Sequence, residues 1–564
     1  MHRLAMFAVL FLAFSAVGSA AAESPEVAIT VHLDQPRGEV WPIWRFFGCD
    51  EANYTYMADG RKLLAQIAKL EPQPAFIRTH HLLTSGDGTP WLKWSSTGVY
   101  SEDADGRPVY RWQILDRIFD GFRERGLKPY VELSFMPEAL SQKPEPYAIP
   151  KVTSGPPKDA LRGGWTYPPK DYAKWQGLIE AIAAHSADRY GRKEAESWFW
   201  ELWNEPNIAY WRGTPEEYDR LYDHTAAGLK RALPKARLGG PHVTGPRDAG
   251  AERFMRQFIE HCLRSKNSAT GATGAPLDFV AFHAKGGTAL VNGYVRMNLG
   301  NHLRHIDRGC AIVESYPELK GKPIVVGESD PDGCAACSAR YFPENGYRNG
   351  SQYASYTAAT FLREQDVAER HGVKIDGAVT WAFEFEGQPW FDGFRVLSSN
   401  GVVLPVFNTF RIFSLLERQR VAVENPAAKD IAALIRQSVR DAPDVSAFAS
   451  RGERAATIVV WHYHDDGVPG PDAAVELTIK GLSSSTHDVR VTHYRIDDEH
   501  SNAYTAWRKL GSPQEPSMDE RAALEKASEL TKLDEHQKVE SHDGTLALRV
   551  TMPRQSVSLL RLEW

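Results

Sequence analysis

Apolar positions along the chain recur in two rhythms. Between about residues 35 and 415, short β-branched and aromatic runs alternate with longer stretches in which apolar residues return every three or four positions. The runs read as strands buried on both faces, and the longer stretches as amphipathic helices. Strands are predicted at 41–47, 75–80, 128–135, 198–203, 237–243, 277–283, 322–330 and 377–383, with helices at 58–70, 112–124, 171–189 and 351–369 among them. A further helix opens at Thr214-Pro215-Glu216-Glu217, a capping box with Pro at the first helical position. Eight such units predict a (β/α)8 TIM barrel over residues 35–415.

Outside that span the rhythm changes. In residues 23–34, Val27, Ile29, Val31 and Leu33 alternate with polar positions, which predicts a half-buried antiparallel strand able to pair with the far end of the chain. From 416 to 564, strands at 456–464, 474–480, 487–495 and 544–561 surround a short helix at 519–530, predicting an antiparallel β-sandwich. It carries no catalytic cluster and reads as a supporting domain.

Composition narrows the function. The 564 residues exceed one compact domain, and 16 Trp, 21 Tyr and 24 Phe suffice both for a large core and for lining a groove. A net charge of −6 with both signs interspersed argues against nucleic acid or an acidic membrane surface as the main partner, and the chain shows no basic patch interleaved with aromatics, no Walker loop and no GxGxxG. Residues 1–22, with Arg3 before an apolar run and small residues after it, read as a secretory signal peptide. The expected location is periplasmic or secreted, with no membrane attachment after cleavage. Of five cysteines, Cys334 and Cys337 form a lone CxxC, open to a local disulfide or two thiols and poor as a zinc site. Oligomeric state is left open.

The candidate chemistry sits at two strand ends. The fourth strand breaks at Asn204-Glu205-Pro206, because Pro206 cannot extend a ladder. The seventh delivers Glu328 in Gly327-Glu328-Ser329-Asp330. Two carboxyls at carboxyl strand ends of one barrel suit cleavage of a glycosidic bond, one protonating the leaving oxygen and one attacking the anomeric carbon. A Pro- and Gly-rich loop at 136–169 is long enough to wall a pocket, and Trp91, Trp94, Trp165 and Trp390 are candidates to stack on sugars or to pack loops.

With the signal and the trailing sandwich, these motifs resemble glycoside hydrolase family 39, the family of β-xylosidases and α-L-iduronidases. The segment from Tyr494 to Gln514 is similar to the sandwich of the bacterial β-xylosidases. The resemblance implies Glu205 as acid/base, Glu328 as nucleophile and Asn204 as the amide at the sugar 2-hydroxyl. It also implies His80, His283, Trp381, and Glu384 or Glu386 as sugar contacts, with neither metal nor organic cofactor. It points to release of xylose from β-1,4-xylo-oligosaccharides. His283-Ala284-Lys285-Gly286 instead resembles the HxKG of the α-L-iduronidases, and Arg395 an Arg they use with that Lys against a uronate. A sugar-binding protein on an inactive barrel is the reading from another class, and the presence of both carboxyls speaks against it.

Overall fold

The computed structural model describes residues 26–90, 92, 96–147 and 163–564. The segment read as a signal peptide, Trp91, Trp94 and much of the 136–169 loop lie outside the described residues. Among the described residues no helix is long and apolar enough to cross a membrane.

Eight parallel strands close a barrel in chain order: Phe46–Cys49, Phe76–Thr79, Lys128–Leu133, Phe199–Leu202, Arg237–Val243, Phe279–Lys285, Ile324–Asp330 and Ile375–Trp381. The eighth pairs with the first through Val379↔Phe46 and Trp381↔Gly48. The apolar runs thus predict both the number and the order of the strands. Aromatic rings fill the lower barrel, with Phe46 on Phe76 at 4.9 Å and Phe199 against Phe279 at 5.2 Å. Gly239 and Gly377 make room for them, since a Cβ there would lie 2.4 Å from Phe279 and Phe46 respectively. This plug leaves polar chemistry only to the carboxyl ends of the strands. The capping box at Thr214 forms as its sequence predicts.

Apart from three two-strand ribbons, the remaining strands among the described residues form one nine-stranded sheet. The strand Glu26–Glu39 lies inside it, antiparallel to Gln419–Glu424 but parallel to Ala473–Lys480, so it is not purely antiparallel as its alternation suggested. The run read as one strand over 544–561 is two, Thr545–Met552 and Ser556–Glu563. Three further strands, Gln419–Glu424, Asp444–Arg451 and Thr531–Glu540, carry too weak a pattern to be read in advance. One face of the sheet folds on itself around Val31, Ile458, Leu477 and Leu560. The other, through Val459, Trp461 and Leu559, joins the core of the barrel.

Candidate active site

The chain turns sharply after the fourth strand. Trp203 and Glu205 both take left-handed backbone, at φ 67° and 46°, a conformation that costs a non-glycine residue about 1 kcal/mol or more. The Glu205 amide is held by the His242 carbonyl at 2.9 Å, and the Glu205 side chain stays partly open to solvent. Glu328 is buried on the seventh strand. His283, on the sixth, bridges them: its Nδ1 lies 2.9 Å from Glu205 Oε1 and 3.7 Å from Glu328 Oε1. One ligand atom from each of the three falls within 4.8 Å of the others, so the two carboxyls face one another across His283.

Two cations grip Glu328. Lys285 Nζ donates to Oε2 at 2.6 Å and Arg78 Nη1 to Oε1 at 3.3 Å. Burial alone would raise the Glu328 carboxyl. Lys285, then His283 and Arg78, overcome that and hold it well below the usual carboxylate range. The same cations make the Glu205–His283–Glu328 trio a poor metal centre, because they already neutralise its buried carboxylate.

Arg78 is a hub that the sequence reading missed. Wholly buried, it donates to Glu201 at 2.6 Å and Asn204 Oδ1 at 2.9 Å, pairs with Glu132 at 2.9 Å, and lies 5.0 Å over the Trp381 ring. With Oδ1 taken, the Asn204 amide keeps its N–H groups for a ligand. Arg78 holds Glu201 ionised at about 2 against burial, while burial leaves Glu132 well above its usual range. His80 Nδ1 contacts both Glu132 oxygens at 2.9 and 3.1 Å, and its ring stands edge-on to Trp381 at 5.3 Å. Arg78, Asn204, His80, His283, Lys285 and Trp381 therefore belong to one cluster with the two carboxylates.

The cations and the remaining sequence candidates have other partners as well. Arg395 is fully buried, its Nη1 on the Asp332 carboxylate at 2.7 Å and the Asp332 carbonyl, its Nε on the Trp381 carbonyl at 2.6 Å, and its Nη2 lies 3.7 Å from Asp330. Asp332 in turn takes Arg348 at 2.6 Å. Lys285 shares its ammonium between Glu328 and Asp330, the latter at 2.8 Å. Glu384 accepts from Ser398 and lines a small cavity with Phe394 and Asn349, where burial pushes it well above its usual range. Glu386 caps helix Ala58–Ile67 by accepting from the Asp59 amide at 2.6 Å. Trp165 and Trp390 are buried and pack loops. Cys334 and Cys337 form a disulfide in the loop after Glu328, whereas Cys49, Cys262 and Cys310 are free and buried.

A closed barrel that presents two carboxylates this close across its carboxyl face has the architecture of a glycosidase. The chain matches the profile of Glycosyl hydrolases family 39 over residues 27–544 and belongs to that family. It is 26% identical over 519 residues to a β-xylosidase of Caldicellulosiruptor saccharolyticus, covering 89% of this chain and 92% of that one. It is 24% identical over 551 residues to the α-L-iduronidase of Mus musculus, covering 90% and 77%. The crystal structure of a monomeric β-xylosidase from Caulobacter crescentus CB15 shares the fold, with a TM-score of 0.73 and 21% identity over 95% of this chain and 99% of that one.

Proposed function

We propose that the protein is a retaining β-xylosidase acting at the non-reducing end of β-1,4-xylo-oligosaccharides. Glu328, kept ionised by Lys285 and Arg78, attacks the anomeric carbon as Glu205 gives its proton to the leaving oxygen. The bond from carbon to the leaving group breaks as the bond to Glu328 forms. Glu205, now a carboxylate, takes a proton from water, which displaces Glu328 and restores the site. Asn204 faces the 2-hydroxyl, and His80, His283 and Trp381 shape the sugar subsite.

The observation that carries a neutral sugar is the engagement of the cations: Arg395 is buried and paired with Asp332 and Asp330, and Lys285 bonds the site's own carboxylates. A uronide reading rests on Lys285, whose side chain keeps 16% of its surface open. Initial rates on an aryl β-D-xylopyranoside and an aryl α-L-iduronide separate the two. Proton NMR of the first-formed anomer tests retention. Turnover unchanged in Glu328→Gln would remove the nucleophile from the scheme. Action outside the cytoplasm is part of this reading, and N-terminal sequencing of exported protein tests cleavage near residue 22.

A further inference from the structure

Side chains alternate along a strand, so while Glu328 faces the barrel interior, Ser329 faces the helices outside. There it meets a closed polar cluster. Ser329 Oγ lies 2.9 Å from His302 Nε2 on helix Leu299–Glu314, and 2.7 Å from Glu364 Oε1 on helix Ser351–Arg370. His302 Nδ1 continues to the Tyr356 hydroxyl at 2.8 Å. All four residues are buried to 2% exposure or less. The Tyr356 hydroxyl also abuts Gly286, where a Cβ would lie 2.6 Å from it. The cluster therefore touches the residue after Glu328 and the residue after Lys285, the two halves of the ion pair.

We propose that Ser329, His302 and Glu364 are positioning residues that hold the seventh strand where Glu328 is aimed, and that loss of the Glu364 proton breaks this hold. The inference rests on Glu328 as nucleophile. With Glu364 neutral, its O–H donates to Ser329, Ser329 to His302 Nε2, and His302 Nδ1–H to Tyr356. With Glu364 ionised, Ser329 spends its single O–H on the carboxylate and no longer donates to His302, which has no proton on Nε2 to offer unless it changes tautomer, and a charge stands in a region closed to water.

The groups facing Glu364 do not welcome that charge. From the seventh strand Ser329 faces Glu364, and the charge of Asp330 on the strand's inward face also reaches it; helix Leu299–Glu314 presents Cys310 and, at 3.9 Å, His302. Its own helix presents Tyr356 through His302. Burial, followed by Lys285, keeps His302 neutral, well below its usual range. Burial, with Asp330 adding and the Ser329 bond opposing, pushes Glu364 up to about 8.

The test is the pH profile of kcat in Glu364→Gln, whose amide keeps the neutral bonds and cannot ionise. The substrate is an aryl β-D-xylopyranoside, or the α-L-iduronide should the wild type prefer it. Trapping wild-type Glu328 with the matching 2-deoxy-2-fluoro glycoside, read by mass spectrometry, checks the underlying mechanism separately. The wild type should lose kcat as pH rises through about 8, and Glu364→Gln should keep it to higher pH. Ser329→Ala should lower kcat about tenfold at unchanged KM, the scale of a slight misplacement of a reacting group. An alkaline limb identical in Glu364→Gln and wild type, or a Glu364→Gln protein that does not fold, overturns the proposal.

Discussion

Lys285→Met is the sharpest probe of the site, because it removes one charge and keeps the stem. Lys285 Nζ stands 2.6 Å from Glu328 Oε2. At an effective dielectric near 20, Coulomb's law gives about 6 kcal/mol for that pair before desolvation is counted. Breaking a buried pair typically costs about 3–5 kcal/mol, because the stranded charge cannot reach water. At about 1.4 kcal/mol per pK unit, this lifts the Glu328 carboxyl by about 2–3 units, with Arg78 and His283 still opposing the rise. A depressed carboxylate stabilises the fold above its unfolded pKa, and that stability is lost as pH falls through the folded value. Lys285→Met should therefore unfold more readily at neutral pH and lose less on acidification than the wild type. The acid limb of kcat/KM on an aryl xyloside should move up by about 2–3 pH units. Initial rates from pH 3 to 9, with thermal melts at each pH, measure both. An acid limb that moves by less than half a unit in a folded variant would refute the assignment of Lys285 as the counterion of Glu328.

Other substitutions probe separate parts. Glu205→Ala should cost far more with poor leaving groups than with 2,4-dinitrophenolate, which leaves without a proton; equal losses on both would exclude it as the acid. Arg395→Met strands the buried Asp332 beside Arg348 and should destabilise by about 3–5 kcal/mol, read by denaturant melts, without changing the ratio of xyloside to iduronide rates. Gly48→Ala would drive a Cβ to 1.8 Å from Trp381 Cε3, so it should cost about 1–3 kcal/mol and raise KM. Unaltered KM would place Trp381 away from the sugar.

The barrel was legible because its strands are short apolar runs separated by amphipathic helical stretches, and because Pro206 marks where the fourth strand ends beside Glu205. Arg78 left a signal that was overlooked. It stands two residues before His80, on the same face of a strand that is otherwise apolar. Glu132 and Glu201 interrupt the next two strands in the same way and pair in register, and three inward charges on neighbouring strands require one another. The fate of Arg395 was not legible. Its position after the eighth strand is the same whether it meets a sugar or Asp332, and loops distant in sequence decide between them. Glu384 and Glu386 fail likewise: two residues apart, one is enclosed with Ser398 and the other caps a helix of the first unit.

The strand Glu26–Glu39 is the first described segment of the chain, yet its neighbours are Gln419–Glu424 and Ala473–Lys480. Made before the barrel, it waits for roughly four hundred residues before either partner exists, a loop closure that local contacts cannot shortcut. The sheet is thus a clasp whose two halves lie at opposite ends of synthesis. A fragment beginning at residue 416 would lack an interior strand and expose two unpaired edges, which invites association rather than independent folding. The barrel released from it would bare, on the helix that carries Glu364, Tyr356 and Arg363, which pack on Tyr463 and on Asp444 and Trp461 of the sheet. Separating the catalytic barrel from its sheet would leave two sticky pieces instead of a smaller enzyme.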